Sequence, residues 1–524
     1  MTRFLVRAFA APASETLSIA GDARDLEAIL DAYREHGERC VDFVQGVFSF
    51  AIWDPARRQL FCARDRFGQR PFYYARVDDA LVATNTLPAL LDEVDDDLDD
   101  EILGDFLIYG LAVDARRTVY KAISRLPPAH RLIARSADDV RIERYWSFPI
   151  ADRPRKIRER DAVAEFQHHL DAAVRDCARG KVVISMSGGI DSTSVAASLK
   201  RNGIEAQAVT SVYDEIIPDE ERAAAATAAR ALEMPITFHV CDRYRLFERW
   251  DDFAVRGYEP RDEPLSAVFH DFMRIAAEQG TTLLGGWGGD SALCASKQHF
   301  FDLLRHGHGL TFLRDGITYA ATRRRLPPLL LRSRMLRAAG LRKPEEGPAW
   351  LRADLRARWN EPVPVLHDLM HPWRQEAFAG VMAASRPSIF DSFDAGVTRQ
   401  PLEFAAPFFD LRLLEFLFSL PPMPHFAAKD IAREALRGAV PESIRMRPKR
   451  TLRGDPVAVL RGAETERWIA VVERAPRLDR FIDRRILCNA LRSDVRGEGE
   501  VAAVSLGVWL RLYDERRRSL QAGS

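Results

Sequence analysis

Cysteine is sparse in this 524-residue chain: Cys40, Cys62, Cys177, Cys241, Cys294 and Cys488 stand apart, with no Cys-x-x-Cys pair among them. That spacing excludes a zinc ribbon or a disulfide framework as the organising device and suits a reducing compartment, so a cytoplasmic location is expected. Excess charge of one sign is also missing. Lys+Arg and Asp+Glu are both 76, a formal net charge of +0, so no global field recruits nucleic acid or an acidic membrane. No apolar run approaches a membrane span, and the opening MTRFLVRAFAAPASE has no apolar core of signal-peptide length. Internal repeats and low-complexity tails are absent as well. Neither nucleic acid nor membrane is therefore expected as a partner.

What is present is an ordinary globular composition, 47% hydrophobic and 29% charged, in a chain long enough for two or more domains. GVFSFAIWD (46–54) and LFCA (60–63) read as β-strands, followed by a turn at Asp65-Arg66-Phe67-Gly68 and a further strand at Pro71-Phe72-Tyr73-Tyr74. DLEAILDAY (25–33) carries apolar residues at helical spacing, so the first region reads as an α+β domain reaching the tract RLPPAH at 125–130. ERYWSF and PRKIRER beyond it read as a connector. From about Asp161 helices alternate with strands: a helix over 161–178, then strands at 182–184, AQAVTSV (206–212) and TTLLGG (281–286). Such alternation predicts right-handed crossovers and a parallel, doubly wound sheet. Residues 305–375, rich in Arg, Leu and Pro, read as an inserted helical element. Its basic run, TRRRLPPLLLRSRMLRAAGLRK, is more often a solvated helix face than a binding patch, although a peptide-binding role stays open.

The chemistry concentrates where the first of those strands stops. In VVISMSGGIDSTSVAASLK (182–200) the period changes from strand to helix around Ser187 to Ser192. Gly188 and Gly189 let the backbone curl until successive N–H groups point at one oxygen-rich ligand, with the positive end of a helix behind them. Asp191 would repel a bare phosphate but suits a divalent cation that accompanies polyphosphate, so Mg-nucleotide is the expected ligand. The loop lacks the G-x-x-x-x-G-K-[ST] pattern of a Walker A motif. A glycine pair alone is as often a plain strand-to-helix turn.

SGGIDS followed a hundred residues later by GGWGGDS (285–291) resembles the PP-loop ATP pyrophosphatase domain of asparagine synthetases and their relatives. Further matches follow in order: TVYKAISRLPPAH, RYW, LEFAAPFFDLRLLEFLFSLP, KDIAREALRGAVPESIRMRPK and SLGVWLR. GVFSFAIWD…FCARDRFGQRPFYY resembles the end of a glutamine amidotransferase domain. The fold implied is α/β, a parallel doubly wound synthetase domain over 161–524 with the insertion at 305–375. A connector (146–160) precedes it, and before that a truncated α+β amidotransferase-like domain of the N-terminal-nucleophile type (1–145). The resemblance implies that Ser187, Gly188, Gly189 and Ser192 cradle pyrophosphate while Asp191 and Asp290 hold magnesium. It places backbone near Ser185, Val209, Gly285 and Gly286 around the adenosine. Lys429 and Lys449 match basic residues that contact phosphate or the charge developing on an acyl-adenylate, and Glu403 matches an acid beside the acyl-acceptor pocket, placed to orient or deprotonate the amine. Outside such motifs, lone Lys and Glu residues are usually surface charges.

Departures from that pattern bear on the reaction. Glutamine-dependent members begin Met-Cys, whereas this chain begins Met1-Thr2-Arg3, and residues 10–25 are too short for glutamine-binding loops. The first domain is thus expected to lack glutaminase chemistry, with Thr2 no nucleophile. Ala129, Ser291 and Ala405 replace the usual Gly, Glu and Arg, which speaks against a standard aspartate pocket. Among relatives that adenylate a carboxylate for an amine already on the substrate, the chain looks most like lasso-peptide macrolactam cyclases. ATP and Mg2+ would be its cofactors and a precursor peptide its substrate, with a leader peptidase and a leader-binding protein as the partners to look for. An ammonia-using asparagine synthetase and a β-lactam-type synthetase are the alternatives, with a nucleotide-binding scaffold ranked below them.

Overall fold

The computed structural model describes residues 3–9, 16–217, 220–294, 299–305, 309–323, 347–366, 369–448, 454–493 and 499–523. Its first part is built from two antiparallel sheets. One has the order β2 (Ser18–Ala23), β3 (Phe48–Asp54), β4 (Gln59–Arg64), β8 (His130–Ala134) and β9 (Val140–Arg144). The other runs β1 (Leu5–Ala8), β6 (Ala80–Thr84), β5 (Tyr73–Val77) and β7 (Ile123–Arg125). The strands read at 46–54 and 60–63 pair as a hairpin, with Trp53 opposite Leu60 and Asp54 opposite Gln59. FSFAIWD does not alternate in polarity because both its faces are covered, which makes a strand read as a continuous apolar run. Ala51, Trp53, Leu60 and Cys62 face the other sheet, while Phe48, Phe50, Ile52 and Phe61 pack beneath Ile29 and Tyr33 of the helix Leu26–His36. That helix is capped by Asp25, whose carboxylate accepts the Ala28 N–H at 2.9 Å.

The turn after β4 is held by a buried acid. Asp65 accepts the backbone N–H groups of Phe67, Gln69 and Arg70 at 3.0, 3.1 and 3.1 Å, and burial raises its pKa against those bonds.

The second part contains a five-stranded, wholly parallel sheet in the order β12 (Ile236–Val240), β11 (Ala206–Val212), β10 (Val182–Ser185), β13 (Thr282–Leu284) and β14 (Glu403–Ala405). Sequence reading located β10, β11 and β13 but missed β12, whose residues are mixed in polarity, and the three-residue β14. The chain winds outward from β10 through β11 to β12, then crosses back to place β13 on the other side of β10. Strand order therefore reverses between β10 and β13, and a crevice opens at their carboxyl ends. Register aligns the tips, with Val182 paired to Thr282 and Ile184 to Leu284. The helix expected over 161–178 spans Glu159–Cys177.

A further core joins the two parts. Tyr73, Val82 and Phe106 of the first region share it with Trp350, Trp468 and Trp509 of the second, so the C-terminal helices pack on the first region as well as on their own. Within the insertion the described elements include the helices Gly309–Arg323 and Ala353–Arg358. Most of the basic run, residues 324–343, lies outside the described residues, as does Thr2.

Candidate functional site

Two loops meet at the tips of β10 and β13. The first leaves β10 at Ser185, where the next amide, Met186 N–H, donates to Val209 O at 3.0 Å. Gly188 then turns with φ +69°; a Cβ there would sit 2.6 Å from the carbonyl carbon of Ala224, so only glycine lets the loop lie against the helix Glu221–Ala231. Gly189 leads into the helix Ile190–Arg201, which starts with no side-chain cap. Its positive end is left facing the crevice. Ser187 and Ser192 line the turn, their hydroxyls 3.3 Å apart.

The second loop presses against the first. A Cβ on Gly286 would stand 2.6 Å from the Ser192 backbone nitrogen, and one on Gly289 would stand 2.5 Å from Asp191 Cγ. Glycine at both positions brings Asp290 beside Asp191 although a hundred residues separate them. Lys429 completes the pair: its Nζ donates to Asp290 Oδ1 at 2.6 Å and, in a second short bond, to Asp191 Oδ2. Lys429 has a left-handed backbone (φ 61°) at the start of the helix Asp430–Ala435. Burial alone would lower its pKa, yet the two carboxylates hold it above the ordinary lysine value.

These groups border a cavity of about 570 Å³. Ser185, Ser187, Gly189, Asp191, Ser192, Gly286, Asp290 and Lys429, all singled out from the sequence, line it. Gly188 faces the neighbouring helix instead, and Gly285 stands between the strand ends, near Ser185 and Trp287. Val209 is fully buried behind the wall. Lys449 lies outside the described residues.

Glu403 stands apart from this group. It begins β14, paired with Thr282 at the amino end of β13, whereas both loops leave the carboxyl ends. Its carboxylate is bound by Arg70 of the first region, and it lines neither cavity of the crevice. Parallel register decides this, because it sets Glu403 level with the first residue of β13 and Ala405 level with the last.

Sequence reading missed Arg386. Its guanidinium borders the cavity, donating to Ser291 Oγ at 3.1 Å and to Gly380 O at 2.6 and 2.9 Å. Burial lowers its pKa. Nothing in RPSIF marks it as a site residue, since only folding brings it within reach of Ser291. Arg447 and Trp287 also border the cavity.

A second cavity, about 540 Å³, opens from the first and shares Ser185, Ser187, Glu221 and Trp287 with it. Its walls are largely apolar: Val268, Phe269 and Phe272 from the helix Ser266–Gln279, with Phe393 and Phe404 opposite. Thr210 and Ser211, at the end of β11, close one side.

The donor set can be tested against a magnesium ion. Among the described residues no cluster of three or more His, Cys, Asp or Glu side chains could cage a metal. Two carboxylates that already converge on a single cation do fit Mg2+, which takes one or two carboxylates and draws its other ligands from phosphate and water.

Comparison with known proteins matches residues 165–511 to the family model described as asparagine synthase and residues 15–146 to a glutamine amidotransferase domain. Among curated relatives, the glutamine-hydrolyzing asparagine synthetase 3 of Bacillus subtilis (strain 168) is 34% identical over 179 residues, covering 33% of this chain and 28% of the relative. The amidase chyE of Penicillium rubens is 30% identical over 259 residues, covering 44% and 36%. A putative glutamine-hydrolyzing asparagine synthetase of Mycobacterium bovis is 31% identical over 183 residues, covering 33% and 28%. In each case the matched stretch spans little more than a third of the relative's length, or less.

Proposed function

The chain belongs to the asparagine synthase family, and we propose that it forms an amide bond by adenylating a carboxylate with ATP and passing the acyl group to an amine. One observation carries this reading: Asp191 and Asp290, from separate strand tips, face a single cation above an uncapped helix start. In the proposed reaction a carboxylate oxygen of the substrate attacks the α-phosphorus and pyrophosphate leaves. The amine then attacks the acyl carbon, loses a proton and expels AMP.

Each part of the crevice has a task in this scheme. Ser187, Gly189 and Ser192 receive the departing diphosphate at the helix start, and the apolar cavity takes the nucleoside. Asp191 and Asp290 are the residues to hold magnesium, which when bound neutralises polyphosphate charge. Lys429 supplies a fixed positive charge beside both carboxylates, and Arg386 offers a half-buried cation to oxygens that gain charge in the reaction. Lys449 retains its proposed phosphate-contacting role.

For the substrate, we infer a precursor peptide whose own N-terminal amine closes a lasso-type macrolactam. A substrate-borne amine makes the second step intramolecular, worth about 7 to 11 kcal/mol in favourable geometry. The junction between the two regions supports an amine that arrives with the substrate. It is filled by a buried network in which Asp391 meets Arg64 at 2.9 Å, Arg125 at 3.2 Å and the Tyr73 hydroxyl at 2.8 Å, beside the Arg70–Glu403 pair. Such a network suits a first region that acts as a clamp.

Pyrophosphate release tests the scheme. Release that depends on a leader-cleaved core peptide with a free N-terminus supports the macrolactam reading. Release driven by aspartate plus ammonia instead would assign the chain to asparagine formation, the activity named for two of the relatives above. ATP binding without turnover on any carboxylate would defeat the ligase reading altogether.

A further inference from the structure

One short helix reaches both the catalytic cavity and the junction with the first region. The helix Arg386–Ser392 opens with Arg386, whose guanidinium borders the cavity, and carries Asp391 five residues on, about 7.5 Å further along its axis. Five residues also turn a helix by roughly 140°, so the two side chains leave different faces. Asp391 is buried and meets the first region: its Oδ1 accepts from Arg64 at 2.9 Å, and its Oδ2 accepts from the Tyr73 hydroxyl at 2.8 Å and from Arg125 Nε at 3.2 Å.

Neither end of this connection is slack. On the first-region side, Arg64 also donates to the carbonyls of Arg70, Leu126 and Gly68 at 2.6, 3.1 and 3.0 Å, and Arg125 donates to Arg117 O at 2.6 Å and pairs with Glu259. Both guanidiniums are buried, and each is held by bonds that do not involve Asp391. On the cavity side, Arg386 donates to Gly380 O and Ser291 Oγ, and Ser291 directly follows Asp290. A Cβ on Gly380 would stand 2.8 Å from that same Ser291 oxygen, so the approach is close. Aromatic packing stiffens what lies between: Phe390 meets Phe409 at 5.0 Å, and Phe393, just past the helix end, stacks on Phe404 at 4.0 Å and lines the apolar cavity. No carboxylate among the described residues pairs with Arg386, so its aim is set by these neutral contacts and by where its helix lies.

We propose that Asp391 is a positioning residue: gripped by Arg64, Arg125 and Tyr73, it sets the helix that aims Arg386 into the cavity. The first region thereby takes part in the reaction by fixing a cation of the crevice. A helix held by apolar packing alone is free to slide or roll on its core, and an error of about 1 Å at Arg386 would misplace the charge it offers. Directed bonds to a buried carboxylate restrict that movement, which gives the costly burial of Asp391, Arg64 and Arg125 a purpose besides stability. Asp391 lines neither cavity, so its effect on binding passes through the helix. The inference rests on the role given to Arg386 above.

A double-mutant cycle on the full chain tests it, with inorganic pyrophosphate and Mg2+ as the probe and calorimetry as the readout. Arg386→Gln and Asp391→Asn are each expected to weaken pyrophosphate binding by at least about 10-fold. In the Arg386→Gln background, Asp391→Asn should add no more than about 2-fold, because the cation it positions is already gone. Tyr73→Phe removes one bond to Asp391 and leaves every charge in place. It should weaken binding by about 3-fold in the wild type and not at all beside Arg386→Gln, and it decides the matter if Asp391→Asn, which strips two buried arginines of a charged partner, does not fold. A purely structural role would lower the unfolding midpoint and weaken pyrophosphate binding alike in both backgrounds. Full additivity, or wild-type affinity in both Asp391→Asn and Tyr73→Phe, overturns the assignment. So does wild-type affinity in Arg386→Gln, which would spare the two phosphate-facing loops. A wild type that binds neither ATP nor pyrophosphate would remove the ligase reading, and this inference with it.

Discussion

Lys429 Nζ lies 2.6 Å from Asp290 Oδ1 while also donating to Asp191, so a single ammonium closes the gap between two strand tips a hundred residues apart. The lysine occupies the ground between the carboxylates, where a divalent cation that accompanies polyphosphate would be drawn. Lys429→Met should leave two acids facing each other without their counter-ion and raise the affinity for free Mn2+ by about 10-fold or more, followed by electron paramagnetic resonance without nucleotide. Mn2+ binding identical to the wild type would show that the two acids do not act as one site.

Removing charge from either acid should end the chemistry and spare the fold. Asp191→Asn and Asp290→Asn are each expected to lower pyrophosphate release by at least about 100-fold, the scale seen when one preorganised electrostatic contact is lost. Circular dichroism and the unfolding midpoint should stay close to wild type, because both side chains border a cavity rather than fill the core.

Gly286→Ala tests the contact between the loops. The added methyl would meet the Ser192 backbone nitrogen at 2.6 Å, and backbone cannot step aside as a flexible side chain can. Loss of ATP binding is expected together with a lower unfolding midpoint. An unaffected variant would show that the loops do not need their close approach.

Glu403→Gln tests whether Glu403 takes part in the reaction. The residue sits at the amino end of β14 in contact with Arg70, so pyrophosphate release should stay within about 3-fold of wild type. Stability should fall, because a buried arginine loses one of its charged partners and keeps Asp22 at 3.4 Å. A loss of turnover with intact stability would restore Glu403 to the reaction.

Asp394 provides a pH signature. Burial pushes its carboxyl up to about 6, with Asp22 adding to the effect, above the ordinary value near 4. The folded state thus holds a proton that the unfolded state has released between about pH 4 and 6, and stability falls as pH rises through that window. Asp394→Asn keeps an acceptor for the Gly396 N–H, bonded at 2.6 Å, and removes the titration. It should be more stable than wild type at pH 7 by an amount on the order of 1–3 kcal/mol, a difference that vanishes near pH 4 in denaturant titrations.

Much of this was legible in the residues themselves. A strand-to-helix change of period with Gly188 and Gly189 at the junction, and GGWGGD repeating that logic, locate both phosphate-facing loops, because turn chemistry and amphipathic period are local properties of a chain. Asp191 and Asp290 followed from the same local patterns together with the family resemblance. Tertiary structure alone decided that Lys429 stands between them, that Arg386 joins them from 95 residues beyond Ser291, and that Glu403 does not. Ser211 and His239 likewise come within 3.1 Å of each other only when β11 and β12 pair in register. The physical reason is that distance along the sequence carries no record of which strand tips become neighbours: parallel pairing and crossover order, set by burial of a common core, determine which charges meet.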